Sequence, residues 1–344
     1  MTTISIAMAT YNGARFIREQ LDSLADQTLL PTELVITDDG STDETLSVIG
    51  EFAKTAPFPV RIYSNEHRLG YRSNFMKCVT HCSGEYISFC DQDDIWHKDK
   101  LYIIMTEFSK SNKILLVYHN SVAFSQNQDL GLLYKSNHSD SLHFGRLANI
   151  GFAPLGFSIT FKQLLVRYED LQRSTSDPND RSNFEAHDQW YYFIAMSLGE
   201  VRYVPRPLVR YRQHEQNVYG WGQRNILLRL FTNLAASSTR QIYLCSCAYR
   251  RSQILLRIRS RIDVDVISAV DNSIELYRQL RFLMKLRNLV YNSSTISRRM
   301  GAMYRLMQQG SYFPRSGKLN FGFRAALKDA LIGVPFGKLA GKST

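Results

Sequence analysis

Short apolar runs alternate with amphipathic segments through the first 125 residues of the chain. In one such segment Ile17, Leu21 and Leu24 recur with a period near 3.6, which predicts a helix. Ser41 and Glu44 have capping-box spacing, so we expect a second helix to begin at Ser41. Five apolar runs predict buried strands, and two further segments predict helices: strands at residues 4–9, 33–37, 60–63, 86–90 and 114–118, helices at 75–81 and 98–108. This alternation predicts an α/β fold with a parallel sheet and crossover helices.

Polar residues follow three of the predicted strands, at the point where each strand ends. They form the segments 10–12, 38–39 and 91–94. The ends of parallel strands meet at one edge of a doubly wound sheet, and ligands bind at that edge. Neither the glycine-rich dinucleotide fingerprint nor the P-loop pattern follows any of these strands. We therefore expect a ligand site that holds phosphate by other means.

Asp91, Asp93 and Asp94 place three carboxylates within four residues. Crowded carboxylates repel one another, so their ionisation costs free energy. Mg²⁺ or Mn²⁺ removes that cost, and such ions are commonly bound by one or two carboxylates together with phosphate oxygens. The cluster therefore favours a pyrophosphate held through a metal ion. A solvated acidic turn that caps a helix is the alternative that these residues alone leave open.

Charge is distributed unevenly along the chain. The net charge is +11, but residues 222–344 contain 21 Lys and Arg against 5 Asp and Glu, whereas the preceding residues contain 21 against 26. The basic part also has a helical, Leu-rich pattern. Such asymmetry usually separates a catalytic body from a segment that meets an anionic surface. We predict two regions, a catalytic one at residues 1–222 and a basic helical one at residues 223–344.

The chain has neither a secretory signature nor a disulfide framework. Its five cysteines are odd in number and lack the spacing of a disulfide or zinc framework, which indicates idle thiols in a reducing compartment: Cys78, Cys82, Cys90, Cys245 and Cys247. The N-terminus lacks the basic and apolar pattern of a signal peptide, and no run approaches the roughly 18 apolar residues of a spanning helix. We expect a cytoplasmic protein, soluble or peripheral on the inner face of the cell membrane.

Three motifs resemble glycosyltransferase family 2. They are ATYNG at residues 9–13, DDGSTD at residues 38–43 and DQDDIW at residues 91–96, in the order and roughly the spacing of that family's nucleotide-sugar domain. Asn65, Gly70 and Asn74 match a further segment frequent in the family. The resemblance covers about residues 1–222. It implies a GT-A fold, in which a Rossmann-like, mostly parallel sheet is flanked by helices, and an inverting transfer that uses Mg²⁺ or Mn²⁺.

The resemblance implies roles for several residues at the nucleotide. Thr10 and Tyr11 correspond to residues that line the nucleobase pocket, and Asp38 or Asp39 to a residue that binds the base or the ribose. Arg72 lies where a cationic side chain near the phosphates is common. An arginine on a helix surface is the alternative for Arg72.

The resemblance also implies a set of metal ligands. Asp91 and Asp93 correspond to the family's Asp-X-Asp pair, and Asp93 is the expected direct ligand. The segment YRQHEQN at residues 211–217 resembles a C-terminal signature of many members, in which His214 completes the metal shell and Arg212 binds the diphosphate. A histidine satisfied at the surface or in the core is the alternative for His214.

The segment HDQW at residues 187–190 resembles the place where the family has its general base. Asp188 is therefore expected to withdraw the proton of the acceptor hydroxyl as its oxygen attacks the anomeric carbon. A helix N-cap is the alternative role for Asp188. Residues 151–160 correspond to the segment that borders the donor sugar, and Pro154 and Leu155 are bulkier there than is usual.

The combined prediction is an inverting, metal-dependent glycosyltransferase. Its donor is a nucleoside-diphosphate sugar, and its acceptor is a hydroxyl of a glycan or lipid-linked saccharide in cell-surface polysaccharide synthesis. Similar sequences look like bacterial rhamnosyltransferases, which favours dTDP-rhamnose over UDP-hexoses. Two other classes stay open: a sugar nucleotidyltransferase, which would release pyrophosphate and need neither Asp188 nor His214, and a silent glycan- or membrane-binding protein.

A basic helix is predicted at residues 276–291. Its two faces consist of Leu276, Leu280 and Leu283 on one side and Arg278, Arg281 and Lys285 on another. Such helices often lie on anionic membrane surfaces. An ordinary helical cap on the catalytic region, with solvated arginines, is the alternative. No recognition motif accompanies the charge, so we expect no nucleic-acid partner.

Overall fold

The computed structural model describes residues 2–126, 128–134, 150–215, 237–312, 319 and 321–340. These residues divide into two compact units. The described parts of the first unit are residues 2–126, 128–134, 153–170 and 185–215, and those of the second are 150–152, 171–184, 237–312, 319 and 321–340. The boundary predicted at residue 222 lies outside the described residues.

The first unit contains a nine-stranded sheet within the described part of the chain. Its strands are β1 (Ile4–Thr10), β2 (Glu33–Asp38), β3 (Val60–Ser64), β4 (Tyr86–Cys90), β5 (Ile95–Trp96), β6 (Ile114–Ser125), β7 (Gln128–Leu132), β8 (Ile159–Lys162) and β9 (Glu200–Arg212). The spatial order is β3-β2-β1-β4-β8-β6-β9-β5, and β7 pairs with β6. β1, β2, β3 and β4 pair in parallel, as do β6 and β9, whereas β5, β7 and β8 join antiparallel. All five predicted strands are confirmed.

The helices of the first unit lie between these strands in sequence. They are α1 (Ile17–Ala25), α2 (Thr45–Ala53), α3 (Tyr71–Thr80), α4 (Lys100–Phe108) and α5 (His187–Leu198). The capping-box prediction is wrong: α2 begins at Thr45 and not at Ser41. The Ser41 hydroxyl donates instead to Asp38 Oδ2 at 2.6 Å, because Ser41 belongs to the turn that follows β2. α3 begins four residues before the predicted helix.

The second unit is helical in its C-terminal part. Its helices are α6 (Ser237–Arg259), α7 (Val264–Asn292), α8 (Ile296–Gln308), α9 (Phe323–Lys328) and α10 (Val334–Ala340), and a π-helical turn at Asp329–Gly333 joins the last two. The helix predicted at residues 276–291 is confirmed as part of α7, with Leu280 and Leu283 buried. No helix among the described residues has both the length and the hydropathy needed to cross a bilayer. None of the five cysteines forms a disulfide.

Candidate active site

The polar segments after β1, β2 and β4 meet at one cavity of about 540 Å³. The strand register explains why, since Thr10 at the end of β1 pairs with Asp38 at the end of β2, and Met8 pairs with Cys90 at the end of β4. Parallel strands therefore deliver their following loops to one edge. Seven of the ten predicted site residues line the cavity: Thr10, Tyr11, Asp39, Asp91, Asp93, Asp188 and His214. The other three, Asp38, Arg72 and Arg212, do not line it.

Asp38 is fully buried and organises the turn after β2. Its Oδ2 accepts from the Thr10 hydroxyl at 2.8 Å and from the Ser41 hydroxyl at 2.6 Å. Its Oδ1 accepts from the backbone N–H groups of Gly40 and Ser41 at 3.1 and 2.8 Å. Both carboxylate oxygens of Asp38 thus accept hydrogen bonds within the protein. Asp38 stabilises the turn next to the cavity and does not line the cavity itself.

Asp39 lines the cavity and at the same time fixes the loop after β3. Its Oδ1 accepts from Asn65 Nδ2 at 2.9 Å and from the Leu69 N–H at 2.7 Å, and its Oδ2 accepts from the Gly70 N–H at 2.7 Å. Gly70 has a φ of +76°, a left-handed conformation that favours glycine. The Asn65, Gly70 and Asn74 segment singled out in the sequence is therefore the partner of Asp39, since Asn65 Nδ2 also donates to Asn74 Oδ1 at 2.8 Å.

Gln92 holds the backbone of Tyr11 with both atoms of its amide. The Tyr11 N–H donates to Gln92 Oε1 at 3.0 Å, and Gln92 Nε2 donates to the Tyr11 carbonyl at 3.1 Å. A Cβ at Gly13 would lie 2.4 Å from Gln92 Oε1, so this close approach needs a glycine. Gln92, the second residue of the DQDD motif, thus connects the acidic loop to the ATYNG motif.

Arg68 is a cavity residue that the sequence analysis missed. Its guanidinium lies 3.9 Å from the centroid of the Tyr11 ring, and its side chain lines the cavity. Arg72, the predicted cation, is the second residue of α3 and lies outside the lining, with its guanidinium 5.3 Å from the Tyr71 ring. The only sequence signal for Arg68 was its position between Asn65 and Gly70.

The acidic cluster is compact. Asp91, Asp93 and Asp94 each offer one carboxylate oxygen within 4.8 Å of the others. Burial and the negative charges of Asp93 and Asp188 raise the pKa of Asp91 to about 8. Burial and the neighbouring Asp93 and Asp91 also hold the pKa of Asp94 well above its usual range. A divalent cation bound here would relieve this repulsion, so the donor set fits a Mg²⁺ or Mn²⁺ ion.

His214 reaches the acidic cluster from the segment after β9. Its Nε2 lies 2.8 Å from Asp93 Oδ2, and its ring lies 4.9 Å from that of Phe16. The end of the 211–217 signature, residues 216–217, lies outside the described part of the chain.

Arg212 supports the cluster and does not face the cavity. Its backbone N–H donates to Asp94 Oδ1 at 2.9 Å, and its Nε donates to the Asp93 carbonyl at 2.7 Å. Its Nη2 donates to Glu19 Oε2 at 2.7 Å, and the guanidinium lies 4.6 Å from the Phe16 ring. These contacts fix the Asp93–Asp94 loop, and a contact of Arg212 with a diphosphate stays a prediction.

α5 brings His187 and Asp188 to the same cavity. The N-cap of α5 is Ala186, so Asp188 is the second helical residue and not the cap. His187 is buried, stacks on Phe75 at 4.0 Å, and has no hydrogen-bond partner for either ring nitrogen. Burial and the charge of Arg72 lower the pKa of His187 to about 3, so its ring is neutral near pH 7.

Lys100 is a second residue that the sequence analysis missed. It is fully buried, its Nζ donates to the Phe157 carbonyl at 2.8 Å, and Nζ lies 3.2 Å from the centroid of the Trp96 ring. Burial lowers the pKa of Lys100 to about 7, opposed by the charges of Cys90, Asp94 and Asp91. A lysine at the start of a helix is normally solvated, so nothing in the pattern marked it.

Comparisons with known proteins agree with this fold. The sequence matches Glycosyl transferase family 2 over residues 5–168. The dTDP-rhamnosyl transferase RfbG of Shigella flexneri is 31% identical over 225 residues, which are 62% of this chain and 73% of RfbG. The glucosyltransferase WfgD of Escherichia coli is 30% identical over 128 residues, which are 37% of this chain and about half (49%) of WfgD.

A crystal structure of Staphylococcus aureus TarS with UDP-GlcNAc superposes with a TM-score of 0.53 over 92% of this chain and 98% of the TarS chain, at 13% identity. The GT-A fold that the motifs implied is thereby confirmed. The fold and the sequence relatives together define the class: this protein is a glycosyltransferase. The chain belongs to glycosyltransferase family 2.

Proposed function

We propose that this protein is an inverting, metal-dependent glycosyltransferase that uses dTDP-rhamnose as donor and a hydroxyl of a lipid-linked saccharide as acceptor, in cell-surface polysaccharide synthesis. One observation carries the proposal: Asp91, Asp93, Asp188 and His214 line the same cavity, although they come from three distant parts of the chain. A nucleotidyltransferase would need neither Asp188 nor His214 at the site.

A Mg²⁺ or Mn²⁺ ion would be held by Asp91, Asp93 and His214. Two carboxylates and one imidazole leave coordination positions for phosphate oxygens, as is usual for such ions. When bound, the ion supplies Lewis-acid stabilisation of charge on the leaving diphosphate. Arg212 and Asp94 keep the acidic loop in place through the 2.9 Å hydrogen bond from the Arg212 N–H.

Asp188 is proposed as the general base. Its carboxylate withdraws the proton from the acceptor hydroxyl while the hydroxyl oxygen attacks the anomeric carbon, on the side opposite the leaving diphosphate. Inversion follows from that single displacement. The neutral His187 beside it keeps additional positive charge away from Asp188.

The nucleotide would lie against Thr10, Tyr11 and Asp39 at the ends of β1 and β2. Arg68, over the Tyr11 ring, supplies the cation for the phosphates at this side of the cavity. Three observations support this placement: these residues share the cavity with the acidic cluster, Asp39 fixes the Arg68 loop, and Gln92 ties Tyr11 to Asp93's loop.

The donor and acceptor are proposed from the relatives. RfbG, named a dTDP-rhamnosyl transferase, covers the larger part of this chain at 31% identity, which favours dTDP-rhamnose. WfgD uses UDP-Glc and a diphosphoundecaprenol-linked GlcNAc by its name, which supports a lipid-linked acceptor and keeps a UDP-hexose as the second donor candidate.

The test is release of nucleoside diphosphate from a panel of sugar nucleotides, with Mn²⁺ and with EDTA. We expect release of the nucleoside diphosphate from dTDP-rhamnose in Mn²⁺ and not in EDTA. Asp188→Asn should lower the rate of transfer by about 10²–10⁴-fold, while the donor still protects this variant against thermal unfolding. Asp129→Asn, which changes an exposed carboxylate, is the matched control. Release of pyrophosphate, or normal transfer by Asp188→Asn, would refute the proposal; preference for a UDP-hexose would replace only the donor.

A further inference from the structure

α8 exposes an apolar stripe to solvent. Ile296, Met300, Tyr304 and Met307 are between 48% and 62% exposed, and their spacing of four, four and three residues places them on one side of the helix. A different side of α8, with Ala302 and Leu306, is buried. A surface helix normally has polar residues outside its buried side, so this second apolar side is unusual.

The elements next to α8 in the second unit repeat this feature. On α7, Phe282 and Leu289 are 52% and 41% exposed, at a spacing of seven residues that keeps them on one side. Along α9, the π-helical turn and α10, four large apolar residues are 45–67% exposed: Phe323, Leu327, Leu331 and Phe336. Exposed apolar residues are common singly, but a concentration of them marks an interaction surface. We call these six residues and the four on α8, ten in all, the apolar surface.

The charges around the apolar surface are mainly of one sign, although Glu275, one turn before Arg278 on α7, lies 4.0 Å from the Arg278 guanidinium. Residues 276–340 contain twelve Lys and Arg and a single acidic residue, Asp329. Asp329 is fully buried, where it accepts hydrogen bonds from Arg287 at 2.8 Å and from the hydroxyls of Tyr291 and Tyr312 at 2.7 and 2.8 Å. The exposed charges of this segment are therefore cationic only.

Basic side chains are interleaved with the apolar ones. Arg278 and Lys285 are exposed on the side of α7 that carries Phe282, four and three residues away from it. Arg298 and Arg305 are also exposed on α8, but they stand one or two positions from the nearest stripe residues and therefore face another side of that helix. Long basic side chains next to apolar anchors are typical of helices that lie in a bilayer interface, where the apolar groups enter the acyl boundary and the cations meet lipid phosphates.

We propose that α7, α8, α9 and α10 bind the surface of an anionic lipid bilayer through the apolar surface and its basic neighbours. A second copy of the chain fits less well, because a symmetric contact would bring two predominantly cationic surfaces together. Nucleic acid would satisfy the cations but leave the apolar side chains in water. An anionic bilayer satisfies both.

Vesicle flotation with the full chain tests this proposal. We expect binding to phosphatidylcholine vesicles that contain phosphatidylglycerol, and little binding to phosphatidylcholine alone. Met300→Gln with Met307→Gln keeps the charge and the helix but removes apolar area, and should lower partitioning at least about tenfold. Ser297→Ala with Gln308→Ala, which changes two exposed polar residues of α8, is the matched control and should bind like the wild type.

The charges are tested separately. Arg278→Gln with Lys285→Gln should lower partitioning into anionic vesicles by about 30-fold and weaken its salt dependence, since each basic residue near such a surface contributes about fivefold. Equal binding of all variants, or equal binding to neutral vesicles, would overturn the proposal. A dimer that forms without lipid and dissociates in the Met300→Gln, Met307→Gln variant would also overturn the proposal, because a second copy of the chain would then cover the apolar surface. The assay needs neither donor nor metal, so it can fail while the proposed transferase activity stands, and the reverse.

Discussion

The imidazole Nε2 of His214 lies 2.8 Å from Oδ2 of Asp93, although 121 positions separate the two residues. Two features hold them together: the Phe16 ring against the imidazole, and the hydrogen bond from Arg212 Nε to the Asp93 carbonyl. Strand β9 thus brings the proposed nitrogen ligand to an acidic loop that follows β4. The relationship leads directly to a prediction about metal binding.

His214→Ala should weaken Mn²⁺ binding at least about tenfold, and Asp93→Asn should remove most of it, because each deletes one proposed ligand. The measurement is the shift of the thermal midpoint in a Mn²⁺ titration, which reports affinity for the folded state. His97→Ala is the matched control, since His97 lies elsewhere in the first unit, at Arg206. If His214→Ala titrated like the wild type, the imidazole would have to be removed from the ligand set.

Asp91 should make the stability of the metal-free protein depend on pH. Its folded-state pKa of about 8 exceeds the usual carboxyl value, so between these two values the folded state holds a proton that the unfolded state has released. The free energy of unfolding then falls as pH rises through this window, by up to about 1.4 kcal/mol per pH unit. A bound cation favours the ionised carboxylate and should abolish the loss.

Urea unfolding at several pH values, in EDTA and in Mn²⁺, measures this effect. Other carboxyls also titrate, so the informative quantity is the difference between the wild type and Asp91→Asn, which lacks the titrating group. In EDTA, the free energy of unfolding of the variant should increase relative to that of the wild type as pH rises. In Mn²⁺, the free energy of unfolding of the wild type should increase relative to that of the variant as pH rises. A difference that stays constant with pH in EDTA would contradict the argument.

Arg68 and Arg72 offer a paired test of which cation serves the nucleotide. Arg68 lines the cavity and Arg72 does not, so Arg68→Ala should raise the donor KM about tenfold or more, in line with the loss of a charge-assisted hydrogen bond to phosphate. Arg72→Ala should change the donor KM little. Steady-state kinetics with the same donor decide between them, and the reverse order would assign the role to Arg72, as its position in the family pattern implies.

The sheet could be predicted from sequence because its strands are buried on both sides. All six residues of β2 and all five of β4 are buried, and each contains a short apolar run, Leu34 to Ile36 in β2 and Tyr86 to Cys90 with one serine in β4. β9 was not predicted, since its 13 residues alternate between buried and exposed positions and contain two prolines. The site motifs were found because they follow strand ends, where the fold requires ligand contacts.

What the sequence did not determine is which of two neighbouring polar residues faces the ligand. Asp38 and Asp39 are adjacent, and the N–H groups and hydroxyls of the turn decide that Asp38 points away from the cavity. The orientation of Arg212 depends on Glu19, which lies 193 positions earlier in the chain. Such long-range contacts leave no local pattern, so motif position alone cannot assign them.

Lys100 links α4 to the segment that borders the cavity. Its Nζ donates to the Phe157 carbonyl at 2.8 Å, and Phe157 lines the cavity. Lys100→Met keeps most of the apolar volume but removes the donor, and a buried carbonyl without a partner costs about 1–3 kcal/mol. We therefore expect a lower free energy of unfolding in urea.

Activity should distinguish this role from simple packing. If the Lys100 hydrogen bond positions the Phe157 segment against the donor sugar, Lys100→Met should raise the donor KM while leaving Mn²⁺ affinity near that of the wild type. Lys98→Met, an exposed lysine two residues earlier, is the matched control and should change neither quantity. A Lys100→Met variant with reduced stability but an unchanged donor KM would limit the role of Lys100 to packing in the core. A variant with weakened Mn²⁺ binding would instead assign Lys100 to the acidic cluster, since Asp91 and Asp94 interact with it electrostatically.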